Sequence, residues 1–166
     1  MTDYYKERDE RKCKSKESLK EICATLFNAG ITLVEVHYDG YGDSGQIEYL
    51  LLFKGDKQLK DEDVASLGLP TSTVQEYNYN SKSDDDKYIT KECTLVEKVT
   101  DCAYDFLPGG WEINEGSFGD LVINTEKAKA TLKHNTRVES SEYSEMRYDL
   151  ASKEDLVRPP WISDTL

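Results

Sequence analysis

The stretch VEVHYDGYGDSGQIEYLLLF, residues 34 to 53, decides the fold. Val34, Val36 and Tyr38 recur at a period of two against Glu35 and His37, and after the loop Ile47, Tyr49, Leu51 and Phe53 recur against Gln46, Glu48, Leu50 and Leu52. Alternation at that period marks strands with one buried face. The stretch therefore predicts a hairpin. If both apolar sets share a face, Tyr38 stands opposite Ile47, Val36 opposite Tyr49, and His37 opposite Glu48.

The loop DGYGDSG between these strands invites a metal or phosphate reading, and the spacing refuses both. Counted from Asp39, a calcium loop needs ligands or glycine where Tyr41, Ser44 and Leu50 stand. No Lys follows as a Walker loop requires, and a strand follows where a dinucleotide fingerprint needs a helix. The expectation is a wide hairpin connection in which Gly40, Gly42 and Gly45 take unusual backbone angles. Asp39, Asp43 and Glu48 offer an acidic rim, and Asp39, Tyr41 and Asp43 are candidates for contact.

Upstream, Leu19, Ile22, Cys23, Leu26 and Phe27 follow helical spacing, which predicts an amphipathic helix over 16–29, capped by Ser15 and stopped at Gly30. Residues 1–15 form a charged leader that extends the helix or stays disordered. Downstream, 55–87 reads as a variable connector with one helical turn closed by Gly68 and Pro70, then a polar loop. A second helix is expected from about Asp86 to Phe106, with a strand as rival for CTLVEKVT. LPGG ends it. A second hairpin follows, with strands Asp120 to Thr125 and Ala128 to Glu139, Ile123 opposite Leu132 and His134 near Leu121. Residues 151–166 are expected to be a surface or disordered tail.

This order predicts an α+β two-layer domain over 16–150, an antiparallel sheet of about four strands in two hairpins, covered on one face by two helices. With 166 residues, 37% apolar and 33% charged, and a mean hydropathy of −0.70, its core should be thin. The net charge of −12 disfavours binding to phosphate backbones. That charge is uneven: residues 1–20 hold seven Lys/Arg against five Asp/Glu, +2, which leaves −14 for the rest. No apolar run is long enough to span a bilayer, no signal peptide is evident, and Cys13, Cys23, Cys93 and Cys102 form no CxxC pair. A cytoplasmic protein with reduced thiols is the expectation. Two histidines and no Cys/His cluster argue against a zinc or iron site, and no cofactor is expected.

Three groups of residues are candidates for a working site. His37 beside Glu48 would be a cross-strand polar pair or a poised acid–base pair. LPGGWEINEGSFGD offers Trp111, Glu112 and Asn114, on a loop pinned by its aromatics or on an exposed recognition edge. KHNTR puts His134, Asn135 and Arg137 near the end of the last strands. Three readings follow: a non-enzymatic module whose partner is another protein; an acidic inhibitor or DNA mimic acting on a basic site; and a small hydrolase-like enzyme using His37 or His134 with carboxylates.

The set VEVHYDGYGDSGQIE, LPGGWEINEGSFGDLVI and LKHNTRVE resembles an uncharacterised family of small bacterial and phage-borne proteins, known only as a domain of unknown function. The resemblance covers about residues 18–145. It implies a single intracellular prokaryotic domain and brings no mechanism. Whether DGYGDSG meets GWEINEGSFG in space decides between a site and two separate turns.

Overall fold

The computed structural model describes residues 2–145 and residue 150; the expected tail lies outside them. Over the described residues the chain is α+β, with three α-helices, a five-stranded antiparallel sheet and a separate two-stranded sheet. Helix α1 spans Thr2–Asn28, so the charged leader is helical, and Ser15 lies buried within the helix instead of capping it. Its Oγ donates to Asp105 Oδ2 at 2.6 Å. Gly30, at φ +90°, is the expected left-handed stop: its amide bonds Phe27 O and the Ile31 amide bonds Leu26 O.

Strands β1 (Leu33–Tyr41) and β2 (Ser44–Lys54) form the predicted hairpin. Two details differ. Tyr41 pairs with Ser44, so the connection is not wide: it is a two-residue turn in which Gly42 (φ +61°) and Asp43 (φ +63°) are both left-handed, matching the twist of the strands. And although Tyr38 does face Ile47, a bulge beside it makes Glu48 the extra residue, so His37 faces Tyr49 and Val36 faces Leu50. The alternation allowed either register, because Leu50 and Leu52 are as apolar as Tyr49 and Leu51.

The segment read as a connector is mostly structured. It holds β3 (Lys57–Gln58), the short helix α2 (Asp61–Ser66) before Gly68, and β4 (Ser72–Tyr77). Strand β5 (Tyr88–Cys93) pairs with β4, so the long second helix is corrected to a strand followed by α3 (Leu95–Tyr104). Thr94 and Glu97 start α3 as a capping box: Glu97 N donates to Thr94 Oγ1 and Thr94 N to Glu97 Oε2.

Strands β6 (Ser117–Asn124) and β7 (Lys129–Thr136) complete a sheet in the order β3-β2-β1-β6-β7. Their register is two residues from the expected one: Ile123 faces Ala130, Leu121 faces Leu132, and His134 faces Gly119. Leu19, Ile22, Cys23 and Leu26 of α1 join Leu95, Val99, Cys102 and Ala103 of α3 in one core with Val34, Val36, Leu121 and Ile123 of the sheet. Phe27, placed on that stripe by spacing, is 42% exposed. Cys23, Cys93 and Cys102 are buried free thiols, and burial raises the pKa of each.

Candidate functional site

The middle strand carries two histidine-centred pairs on opposite faces of the sheet. His37 points away from the helices, where its Nδ1 lies 2.8 Å from Asp120 Oδ1 and its ring stacks on Tyr49 at 4.8 Å. Asp120 is therefore the carboxylate partner, not Glu48, whose exposed Oε1 accepts from Gln46 Nε2. The correction follows from the bulge and from the β1–β6 pairing that sets His37 opposite Asp120. On the other face, Tyr38 is fully buried and its hydroxyl reaches His134 Nδ1. Gly119 stands between them in the sheet, and a Cβ there would come 2.9 Å from the Tyr38 hydroxyl. With Tyr38 donating, Nδ1 accepts, and Nε2–H faces Thr136 Oγ1 at 3.3 Å. Burial, then the negative charge of Asp120, pushes the Tyr38 pKa up to about 12.

The two loops converge. Gly42 N donates to Asn114 O at 2.9 Å, Asp43 N to Glu112 O at 3.0 Å, and Asn114 N to Asp43 Oδ1 at 3.2 Å. β1–β6 pairing brings this about, because it sets Gly40 opposite Ser117 and so lays the tip of one hairpin beside the loop entering β6. Trp111 lies across the paired glycines Gly40 and Gly45: a Cβ on Gly40 would stand 2.7 Å from the indole Cε3, and one on Gly45 would enter the ring. The same indole meets Tyr38 edge-on at 5.7 Å and Tyr104 at 6.5 Å. Trp111 thus pins its loop.

Arg137 closes the corner. Its guanidinium donates to Gly40 O at 2.9 Å, forms an ion pair with Asp39 at 3.0 Å, and lies 4.7 Å over the Phe118 ring. Asn135, one strand pair away, donates to Phe118 O. Exposed above this frame are Tyr41 (69%) and Ile113 (53%). Ile113 also lines a cleft of about 250 Å³, with Asn114, Gly116, Ser117, His134 and Arg137 among others.

The structure therefore gathers Asp39, Tyr41, Asp43, Trp111, Glu112, Asn114 and Arg137 at one corner, with His134 in the adjoining cleft, whereas His37 makes its contacts with Asp120 and Tyr49 and Glu48 with Gln46. Sequence reasoning missed Asp120, Tyr38, Phe118 and Ser117 as partners, since each owes its role to β1–β6 or β6–β7 pairing. Among the described residues no group of three or more His, Cys, Asp or Glu could hold a metal ion, and no helix is long and apolar enough to cross a membrane.

Residues 15–148 match the model of a family described as a family of unknown function, DUF6878. The chain belongs to the DUF6878 family. No curated protein and no solved structure matches it. The DUF6878 match spans both converging loops, both histidine pairs and the β4–β5 hairpin.

Proposed function

We propose that this DUF6878 chain, of bacterial or phage origin, is a non-enzymatic protein-binding module whose contact surface is the corner framed by Trp111 and Arg137. The observation that carries the reading is the exposure of Tyr41 and Ile113 on loops held by hydrogen bonds between segments about seventy residues apart, with Ile113 opening on a cleft of about 250 Å³. Ligand pockets usually measure about 300–1,000 Å³. A smaller cleft suits one anchoring side chain of a partner, with aromatic and aliphatic groups around it to exclude water. Pre-organised loops also lower the ordering cost of association.

The test uses the exposed residues and spares Trp111, whose removal would disturb the frame itself. The full chain and a Tyr41→Ala/Ile113→Ala variant of matched melting temperature would each be used as bait in extract of the native host. A protein recovered by the wild type and lost by the variant, then shown to bind in purified form, supports the reading. Equal recovery by both, or no partner for either, overturns it.

A further inference from the structure

A cavity of about 710 Å³ lies on the helix-covered side of the sheet, between α1 and the β6–β7 edge. Its floor is apolar, formed by Leu19, Cys23, Phe106, Leu121 and Leu132. Its rim holds five lysines: Lys12, Lys16 and Lys20 from α1, and Lys127 and Lys129 from the β6–β7 turn and β7. Among the described residues none of the five is in an ion pair; the Lys12 ammonium lies 5.9 Å over the Phe106 ring. In a chain of net charge −12 such a local concentration of cations runs against the general field of the surface.

We infer that this groove docks an acidic amphipathic helix of a partner protein, its apolar face on the floor and its carboxylates against the lysines on both rims. Two quantities favour a helix over a small amphiphile. The α1 residues on the groove run from Lys12 to Cys23, about 16 Å along the axis at about 1.5 Å per residue, or three turns of a facing helix. The cations also stand on both sides of that length, where a single carboxylate or phosphate headgroup engages one or two. An amphipathic helix presents apolar anchors at i, i+3, i+4 and i+7 with charges flanking them, which is the complement of this groove. The docking surface is separate from the Trp111 corner, and its failure leaves that reading untouched.

The probe is a fluorescein-labelled peptide of roughly fifteen residues, long enough to form a helix, with leucines on one face and glutamates elsewhere. It is titrated with the full chain by fluorescence anisotropy. Saturable binding is expected, weakened about tenfold by Lys16→Glu/Lys127→Glu and as much by scrambling the leucines around the helix. Ala130→Trp, which fills the groove from an exposed position, should abolish it. Melting temperatures confirm that the variants are folded.

Several results would overturn the inference. No saturation below about 1 mM would do so, as would equal binding of the scrambled peptide or of the lysine variant. Full displacement of the peptide by oleate at concentrations below its micelle threshold, with oleate binding tighter than the peptide, would assign the groove to a fatty acyl anion instead. A chain that self-associates and dissociates on Lys16→Glu/Lys127→Glu would assign it to a second copy. Binding seen only after Leu156→Asp/Trp161→Asp would assign it to the C-terminal segment of this chain.

Discussion

Two hairpins in this molecule are held by opposite means. The β1–β2 tip is fixed by groups distant in sequence: the Trp111 indole on Gly40 and Gly45, the amides of Gly42 and Asp43 on Asn114 and Glu112, and the Arg137 guanidinium on Asp39. The β4–β5 hairpin is fixed by its neighbours. Tyr77 meets Tyr79 at 5.0 Å and Tyr88 at 5.8 Å, Lys87 pairs with Asp84 at 2.8 Å, and Lys91 approaches Glu76 at 3.9 Å, all of them exposed or half-exposed. Non-local, partly buried contacts make one tip part of the cooperative fold; local, solvated contacts leave the other free to open by itself.

The strongest way to break that contrast is Gly116→Ala. Gly116 has φ +71°, and a Cβ there would run into the carbonyl of Gly40. Backbone strain and steric overlap act together, and neither neighbour is a flexible side-chain end. A loss of about 4 kcal/mol is expected in denaturant unfolding. Trp111→Ala comes next, at about 3 kcal/mol, because it empties the seat over Gly40 and Gly45 without adding strain. A loss below about 1 kcal/mol in either variant would show that the corner is not integral to the fold.

The same contrast explains what was legible in the sequence. The C-terminal half of α1 and the alternation of β1 are carried by local periodicity, so both could be read directly, whereas in β2 the core face past the bulge is Leu50 and Leu52 and not the expected Tyr49, Leu51 and Phe53. The bulge at Glu48 could not be read, because Leu50, Leu51 and Leu52 satisfy the burial rule in more than one register. The false long helix arose because Tyr88, Glu92, Leu95 and Val96 share a helical stripe; the Thr94/Glu97 box was the available signal against it. Seven of the candidate residues do meet at one corner, but their meeting depends on Gly40 standing opposite Ser117. Pairing between segments so far apart leaves no periodic trace, and for the same reason Asp120 was missed as the partner of His37.

Alkaline pH sharpens the comparison at intermediate size, because Tyr38 is the buried post against which Trp111 rests. Its pKa in the fold is about 12, above the ordinary value of 10. The folded chain therefore holds that proton more tightly than the unfolded chain. The stabilisation is complete below pH 10 and is lost as pH rises from 10 towards 12, at up to about 1.4 kcal/mol per pH unit. Tyr38→Phe removes this dependence, so the difference between the two proteins in urea midpoint should narrow across that window. A constant difference from pH 9 to 12 would mean that the hydroxyl titrates as it does in water.

In the β4–β5 hairpin the expected effects are smaller. Tyr77→Ala, which removes both aromatic contacts, should lower global stability by less than about 1 kcal/mol. Hydrogen exchange at Gln75 and Thr90 should nevertheless quicken while that at Val36 does not change. Equal quickening at all three would place the hairpin inside the cooperative unit.

Lys91→Ala should have the least effect. The ammonium stands 3.9 Å from Glu76, with side chains 65% and 56% exposed, so the pair is separated by solvent-screened space and holds two long side chains in place for little Coulomb gain. The expected change is within about 0.5 kcal/mol and vanishes in 0.5 M salt. Yet Lys91 also faces Val74 across the hairpin and lines a cleft with Thr100 and Tyr104 of α3. If the loss exceeds about 1 kcal/mol and survives salt, the lysine stem is packing the hairpin onto α3 through its methylenes. The two hairpins would then differ in degree of anchorage instead of in kind.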